Sequence, residues 1–571
     1  MKNQEIAEIF NKIADILEIK EENIFRIRAY RRASQNIGSL TKDVEDIIKE
    51  EKLEDIPGIG KDLAKKIDEY VKTGKMKFYE DLKKEIPKGM LAFMDIPGVG
   101  PKTAKVIYED LKIKNIEDLI VKAKAGKIKK VFGIKDKTIE NILRGIDFLK
   151  KSEGRTPLYI AMKISNEIIN ELKKLKEISQ IEAAGSLRRR KETVRDIDIV
   201  SASTKPKGIM DKFVSLPQVK EILAHGQTKS SIITKEEIQV DLRVVEPECY
   251  GAALAYLTGS KEHNVKLREM AVKKHLKINE YGVFKVKADR KIAGKDEEGI
   301  YKSLGLSYVP PEIRENRGEI ELAIKDSLPK LVELKDMKGD LHLHSEASDG
   351  NLSVPEIAEL AKAKGYEYIV VTDHSKTLVI AGGLKEKELV LQMEKIDALN
   401  KRIKGFRVLK GAEVDILADG TLDYNDGILK ELDFVIAAIH AGFKQSREQL
   451  TKKIISAMEN KYVNMIAHPT GRLMGVRDSY DIDIAKVLKA ARDTNTAVEI
   501  NAYPDRLDLN DINCKLAKET GVMIGIGTDS HSKEHMDNMI FGINVARRGW
   551  LEKKDVLNTL KINDFLKKIK K

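Results

Sequence analysis

Seven of the ten histidines in this 571-residue chain lie beyond residue 340, and most share a short motif with a carboxylate. The set reads His342-Leu-His344, Asp349, Asp373-His374, Glu413, His440, His468 and Asp529-Ser-His531. Imidazole nitrogen and carboxylate oxygen are the ligands that zinc, manganese and iron accept together, and a set this large exceeds what one ion needs. A lone histidine is usually a core or surface residue. In an extended chain, however, His-x-His and Asp-x-His place both side chains on one face. A centre for several metal ions is the expectation.

A second acidic centre lies earlier, at Asp196-Ile-Asp198, with Asp241 on a later β-branched run. Residues two apart on a strand share a face, and carboxylates that close repel each other unless a divalent cation sits between them. With Asp241 they could hold two magnesium ions for in-line phosphoryl transfer. The motif Gly185-Ser186-Leu-Arg188-Arg189-Arg190 stands just before. Its turn supplies N–H and hydroxyl donors for a triphosphate, and Arg189 supplies positive charge as pyrophosphate leaves. An isolated Asp-x-Asp is more often surface decoration. The Gly-Ser prelude and the third aspartate favour the catalytic reading.

A repeat marks the first 150 residues: Leu53-Glu-Asp-Ile-Pro57-Gly58-Ile-Gly60 recurs as Phe93-Met-Asp-Ile-Pro97-Gly98-Val-Gly100, with a degenerate third copy at Val131–Ile139. Each reads as a helix end, a glycine turn and a new helix whose free N–H groups can hold a phosphate oxygen without reading a base. An ordinary glycine-closed connection between helices is the competing reading. Two copies in a basic region favour DNA-backbone binding at Gly58, Gly60, Gly98 and Gly100.

Positioning these groups takes several domains. The length allows three or four. Residues 1–150 carry 32 Lys and Arg against 27 Asp and Glu, residues 151–335 carry 35 against 28, and the remainder 36 against 36. The positive excess therefore lies with the first 335 residues, as a phosphate-rich partner requires. No apolar run approaches a bilayer span, the N-terminus lacks the apolar core of a secretory signal, and the two cysteines suggest no disulfide. A cytoplasmic protein without membrane contact is expected. Residues 1–150 read as helical, and β-branched runs from about 181 suggest a sheet carrying the aspartates. Residues 246–310 return to helix with a small hairpin near Gly282, and a charged stretch follows Pro310-Pro311. Beyond 336, strand-like runs at 368–371, 408–409, 434–439, 465–467, 498–500 and 523–526 alternate with helices. That pattern indicates a parallel β/α barrel with chemistry at the strand ends.

On these motifs residues 1–315 resemble an X-family DNA polymerase. Tyr256-Leu-Thr258-Gly259-Ser260, running on to Asn264 and Arg268, extends the match. The resemblance implies that Tyr256 and Gly259 line the sugar pocket, that Asn264 reaches the nascent base pair, and that Arg268 touches the template. Leu257 and Gln239 depart from the pattern. Lys66 aligns with the lysine that relatives use as a Schiff-base nucleophile. Glu54 and Asp62 replace phosphate-pocket lysines, so a solvated helix lysine is the competing reading.

Residues 336–571 resemble a PHP (polymerase and histidinol phosphatase) domain. That family pattern assigns His342, His344, Asp349, His374, Glu413, His440, His468, Asp529 and His531 to as many as three manganese or zinc ions, and leaves Asp373 and His535 unassigned. The fold class implied is multidomain: helix-hairpin-helix domains at 1–85 and 86–150, an α+β nucleotidyltransferase palm at 151–245, a thumb at 246–315, a linker at 316–335 and a distorted β/α barrel at 336–571. The activity implied is gap filling on primer–template DNA with dNTPs, joined to a 3'-5' exonuclease that also cuts at abasic sites, in a monomer. A small-molecule phosphatase with a DNA tether, and a non-catalytic DNA-end scaffold, are the rivals.

Overall fold

A computed structural model describes residues 2–38, 44–49, 52–56, 58–94, 101–110, 112–115, 118, 119, 122, 155–288, 290–443, 445–474 and 479–570. The chain divides into two compact units, one of residues 1–155 with 261–278, the other of 156–260 with 279–571.

In the first unit every regular element described before residue 155 is helical. The helices Lys2–Ile19 and Ile24–Gly38 bury Phe10 edge-on to Tyr30, with ring centroids 5.5 Å apart, and Tyr30 stacks on Phe78. In the first glycine hairpin Gly58 takes φ +82°, a left-handed turn that suits glycine, and Gly60 caps the helix Lys61–Thr73. Gly98, Gly100 and the third copy lie outside the described residues.

The second unit opens with a five-stranded sheet: β1 Gln180–Ala183, β2 Asp196–Ala202, β3 Val219–His225, β4 Lys229–Thr234 and β5 Gln239–Val245, in the order β1-β2-β5-β4-β3. Only β2 and β5 run parallel. Their register sets Asp198 beside Asp241 and Asp196 beside Gln239. Along β5 buried Val240, Leu242 and Val244 alternate with half-buried Gln239, Asp241 and Arg243, so one face feeds the core and the other carries the acids. Residues 246–310 combine helices, among them Tyr250–Thr258 and Glu297–Ser303, with the expected small hairpin near Gly282, whose strand Gly282–Lys285 pairs antiparallel with Arg290–Ala293. Asn279 Oδ1 accepts from the N–H groups of Tyr281 and Gly282 in the turn before it. The stretch 316–335, read as a linker, holds a helix, Glu319–Ile324, that buries Ile320 and Ala323.

Seven parallel strands follow: β6 Gly339–Leu343, β7 Tyr368–Val371, β8 Arg407–Asp415, β9 Phe434–Ala438, β10 Met465–Ile466, β11 Ala497–Asn501 and β12 Ile524–Gly527. They pair in sequence order. Backbone bonds from Asp529 N–H to His342 O and from His344 N–H to Ser530 O, each 2.9 Å, join the last strand's exit to the first. The result is a nearly closed barrel. Its strands are largely buried on both faces, and β7 and β9 therefore read as unbroken apolar runs. Tyr368, Phe434 and Phe565 belong to the cluster that fills one part of the interior. The histidines and carboxylates gather at the strands' C-terminal ends. Outer helices start on side-chain caps, among them Ser353, Ser446 and Asn510.

Candidate active sites

In the palm, the short helix Gly185–Arg188 begins beside β2, with Gly185 at φ +61°. A Cβ on Gly185 would lie 2.5 Å from Asp198 Oδ2, so glycine is needed both for the turn and for the approach of the carboxylate. Burial first, and then the neighbouring charges of Asp196 and Asp241, push the Asp198 carboxyl up to about 7. Burial also acts upward on Asp241, but hydrogen bonds from Lys229, Gln239 and Ser231 outweigh it and hold this carboxyl below its ordinary value. Lys229 Nζ stands 2.8 Å from Asp241 Oδ2, and Gln239 Nε2 donates to Oδ1 at 2.8 Å. Gln239, noted in the sequence only as a departure, thus orients the third carboxylate. A ring of acids with one lysine as counter-charge suits divalent cations, because like charges this close need positive charge among them.

Two arginines fix the loop after Ser186. Arg188 donates to both oxygens of Glu297, at 2.9 and 2.7 Å, and to Thr258 Oγ1 at 2.9 Å. Arg189 donates to Thr258 O through Nη1 and to Glu315 Oε1 at 3.1 Å through Nε. Thr258 precedes Gly259, whose φ of +69° ends the helix carrying Tyr256. The predicted sugar-pocket motif and the Gly-Ser loop are therefore held together by direct bonds. Tyr256 is exposed, as a residue lining an open pocket must be. Asn264 and Arg268 sit on Lys261–Lys273, in the other unit. There too, Lys66 is ion-paired with Asp62 and lies 4.9 Å from the centre of the Phe78 ring.

All nine predicted barrel ligands converge. Three sets bring their ligand atoms within 4.8 Å: His344, Asp349, His374 and His531; His342, His344 and Asp529; and His374, Glu413 and His440. His468 Nε2 joins through Glu413 Oε1 at 2.9 Å. His342 Nε2 and His344 Nε2 face each other at 3.1 Å, where at most one can carry a proton. His344 Nδ1 and His468 Nδ1 are buried with no hydrogen-bond partner among the described residues. Converging imidazole nitrogens and orphaned buried acceptors are a donor set that fits transition-metal cations.

Electrostatics agree. Burial acts upward on Asp349, Glu413 and Asp529, but the surrounding imidazoles hold each far below the usual carboxylate range. Burial acts downward on His374 and His440, but Glu413 and their other acidic partners raise them to about 10 and about 9. Protons there balance buried negative charge as cations would. His468 and Asp529 take left-handed backbone with φ +27° and +52°, strain of the kind found at functional sites.

Sequence reasoning missed the residues that hold the ligands. Glu499, fully buried on β11, accepts from His468 N–H at 2.6 Å and pairs with His342 Nδ1 at 2.7 Å. Its signal was a carboxylate inside the apolar run Val498-Glu-Ile500. Asp415, two after Glu413 and so on the same face, pairs with His440 Nδ1 at 2.5 Å. Asp373, in none of the three sets, accepts from Ser345 Oγ at 2.6 Å and Ser348 Oγ at 2.5 Å. His535 accepts from His531 N–H.

Over 573 residues the chain is 40% identical to the DNA polymerase/3'-5' exonuclease PolX of Bacillus subtilis (strain 168), covering all of both chains. This chain belongs to the PolX family. Within that family frame, residues 1–76 match a helix-hairpin-helix domain and 90–147 a SAM-like helix-hairpin-helix tandem. Residues 253–315 match the DNA polymerase beta thumb and 340–503 the PHP domain. A probable phosphatase of Thermoanaerobacter sp. (strain X514) is 35% identical over 245 residues, 41% of this chain and 95% of that protein. A PolX chain is thus a DNA polymerase with 3'-5' exonuclease activity, and among the described residues none of its helices is long and apolar enough to cross a membrane.

Proposed function

We propose that this enzyme is a cytoplasmic, monomeric repair polymerase that fills short gaps on primer–template DNA and trims 3' ends. The observation that carries the reading is the register of β2 and β5, which sets Asp198 beside Asp241 on the face next to Gly185. Asp196, Asp198 and Asp241 would hold two magnesium ions. Those ions, when bound, supply charge neutralisation of the triphosphate and activation of the primer hydroxyl. Ser186 and the loop amides bind the triphosphate, Arg189 offers Nη2 to a phosphate oxygen, and Tyr256 and Gly259 border the sugar. Asn264 contacts the nascent pair and Arg268 the template. Gly58, Gly60, Gly98 and Gly100 belong to the repeats that bind the DNA backbone.

His342, His344, Asp349, His374, Glu413, His440, His468, Asp529 and His531 would hold manganese or zinc, up to three ions, which supply Lewis-acid activation of water and phosphate. Glu499 and Asp415 orient His342 and His440, fixing which nitrogen faces inward. This site serves the 3'-5' exonuclease and incision at abasic sites. Lys66, ion-paired with Asp62 and 4.9 Å from the centre of the Phe78 ring, is the candidate lyase nucleophile, with a solvated helix lysine as the competing reading.

Primer extension and 3'-end degradation on one gapped oligonucleotide, with magnesium and then manganese, test the division of labour. Asp198→Ala should abolish nucleotide addition and spare hydrolysis, and His342→Ala should do the reverse. Loss of both activities in either folded variant would sink it. The likeness to a probable phosphatase supports one rival, which requires rapid phosphate release from a small ester and little nuclease action.

A further inference from the structure

The helix Met539–Arg548 belongs to the barrel, where its Gly542 lies so close to β12 that a Cβ would stand 2.5 Å from Ile526 Cγ2. Its last residue leaves the barrel. Arg548, with a side chain 3% exposed, donates through Nη1 to Arg189 O at 2.7 Å and to Glu315 Oε1 at 3.0 Å. The same Glu315 oxygen accepts from Arg189 Nε. Through Nη2, Arg548 is anchored on Asp511 Oδ2 at 2.8 Å, and Arg317 Nη1 reaches that oxygen at 3.0 Å.

Three features make this more than packing. The Arg189 carbonyl precedes Arg190, a non-glycine residue at φ +57°, so Arg548 bonds the peptide that enters a strained turn. The Glu315 side chain is only 9% exposed, so losing one of its two bonded arginines would be costly. Burial acts upward on it, and Arg189, Arg548 and Lys191 together hold its carboxyl below the ordinary value. Finally, Nε and Nη1 of Arg189 are committed to Glu315 and Thr258 O, so the direction in which Nη2 points is set by that pair.

We infer that Arg548 is a positioning residue for nucleotide addition: a barrel side chain that holds Glu315 and the Arg189 carbonyl, and thereby aims Arg189 at the incoming triphosphate. The inference rests on the proposed role of Arg189 as a triphosphate contact.

Steady-state kinetics of the full chain on a single-nucleotide gap, varying dNTP with magnesium, test it. Arg548→Met should raise the dNTP KM about tenfold, with any fall in kcat no larger than that of Arg189→Met, since the triphosphate contact is misaimed rather than removed. Arg548→Lys should recover part of the loss, and manganese-dependent hydrolysis should be unchanged. In an Arg189→Met background, Arg548→Met should add almost nothing, because both act through one group. Glu315→Gln should repeat the KM effect and serves as the second variant if Arg548→Met does not fold. Full multiplication of the two losses in the double variant, or an unchanged KM in Arg548→Met beside a raised one in Arg189→Met, overturns the inference. An unchanged KM in Arg189→Met instead overturns the role of Arg189, and the inference with it.

Discussion

Glu499 acts one bond away from the ligand set, and its worth can be isolated. Its two oxygens hold His342 Nδ1 and His468 N–H, so it fixes one ligand's ring and another's backbone. Outer partners of this kind are typically worth about 10–100-fold in metal affinity. Glu499→Gln keeps the shape and removes the charge. Manganese affinity, followed by titration calorimetry on the chelator-treated chain, should fall by that factor while nucleotide addition is unchanged; equal affinity would contradict the assignment. Gly185→Ala probes the other centre. The new Cβ would meet Asp198 Oδ2 at 2.5 Å, on backbone at φ +61° that disfavours L side chains by about 1–2 kcal/mol. A displacement of about 1 Å can cost roughly a hundredfold in rate, so primer extension should fall by at least about that much while 3'-end degradation survives.

Between these residues and the whole chain stand the elements that hold them, and one buried charge network joins three. Glu297 opens the helix Glu297–Ser303, capped by Asp296 Oδ1 on Gly299 N–H, and meets Arg188 from the Gly-Ser loop and Arg314 near the end of the thumb. Arg314 is fully buried, with its guanidinium about equally far from the Tyr301 and Tyr308 rings, at 5.2 and 5.3 Å. Burial acts upward on Glu297, but Arg314 and Arg188 outweigh it and lower the carboxyl to about 2. A folded value below the unfolded one gives stability that is complete above pH ~4.5 and lost as the pH falls to about 2, on the order of 3 kcal/mol. Glu297→Gln should therefore cost roughly 3–5 kcal/mol at neutral pH, read by urea denaturation, and the gap to the parent should narrow below pH ~4.5. A gap constant with pH would contradict the ionised pairing. These elements also show what a sequence reveals. The shared face of Asp196 with Asp198, and of His342 with His344, was legible because a two-residue period encodes it, whereas Asp241 comes in from the paired strand. Glu297 was not legible, since its partners lie 109 and 17 residues away and an acid at a helix start reads as an ordinary dipole partner. In the stretch 316–335, likewise, charge suggests solvent, whereas Arg317 pairs with Asp511, 194 residues away.

At the scale of the molecule, palm and barrel are parts of one compact unit, and the contacts between them are specific. Arg472, beyond β10, clamps Glu192 through both nitrogens, Nη1 at 3.0 Å and Nη2 at 2.5 Å, and also donates to Arg506 O and Leu507 O. Tyr159 meets Phe541 edge-on at 6.5 Å, and from the same helix Arg547 reaches Glu312 of the thumb at 2.8 Å. The Arg472 and Glu192 side chains are only 14% and 23% exposed, so neither is freely solvated. Removing one partner of such a pair leaves the other charge partly buried, at a cost of about 3–5 kcal/mol if burial were complete and less here. Domains joined this closely unfold together, whereas loosely tethered ones unfold singly. Calorimetry should therefore show palm and barrel melting in one transition in the parent. Arg472→Ala should lower that transition or split it, with the smaller palm melting first. Two separate transitions already present in the parent would mean that the bidentate pair carries no coupling, and the positioning of Arg189 from the barrel would lose its mechanical basis.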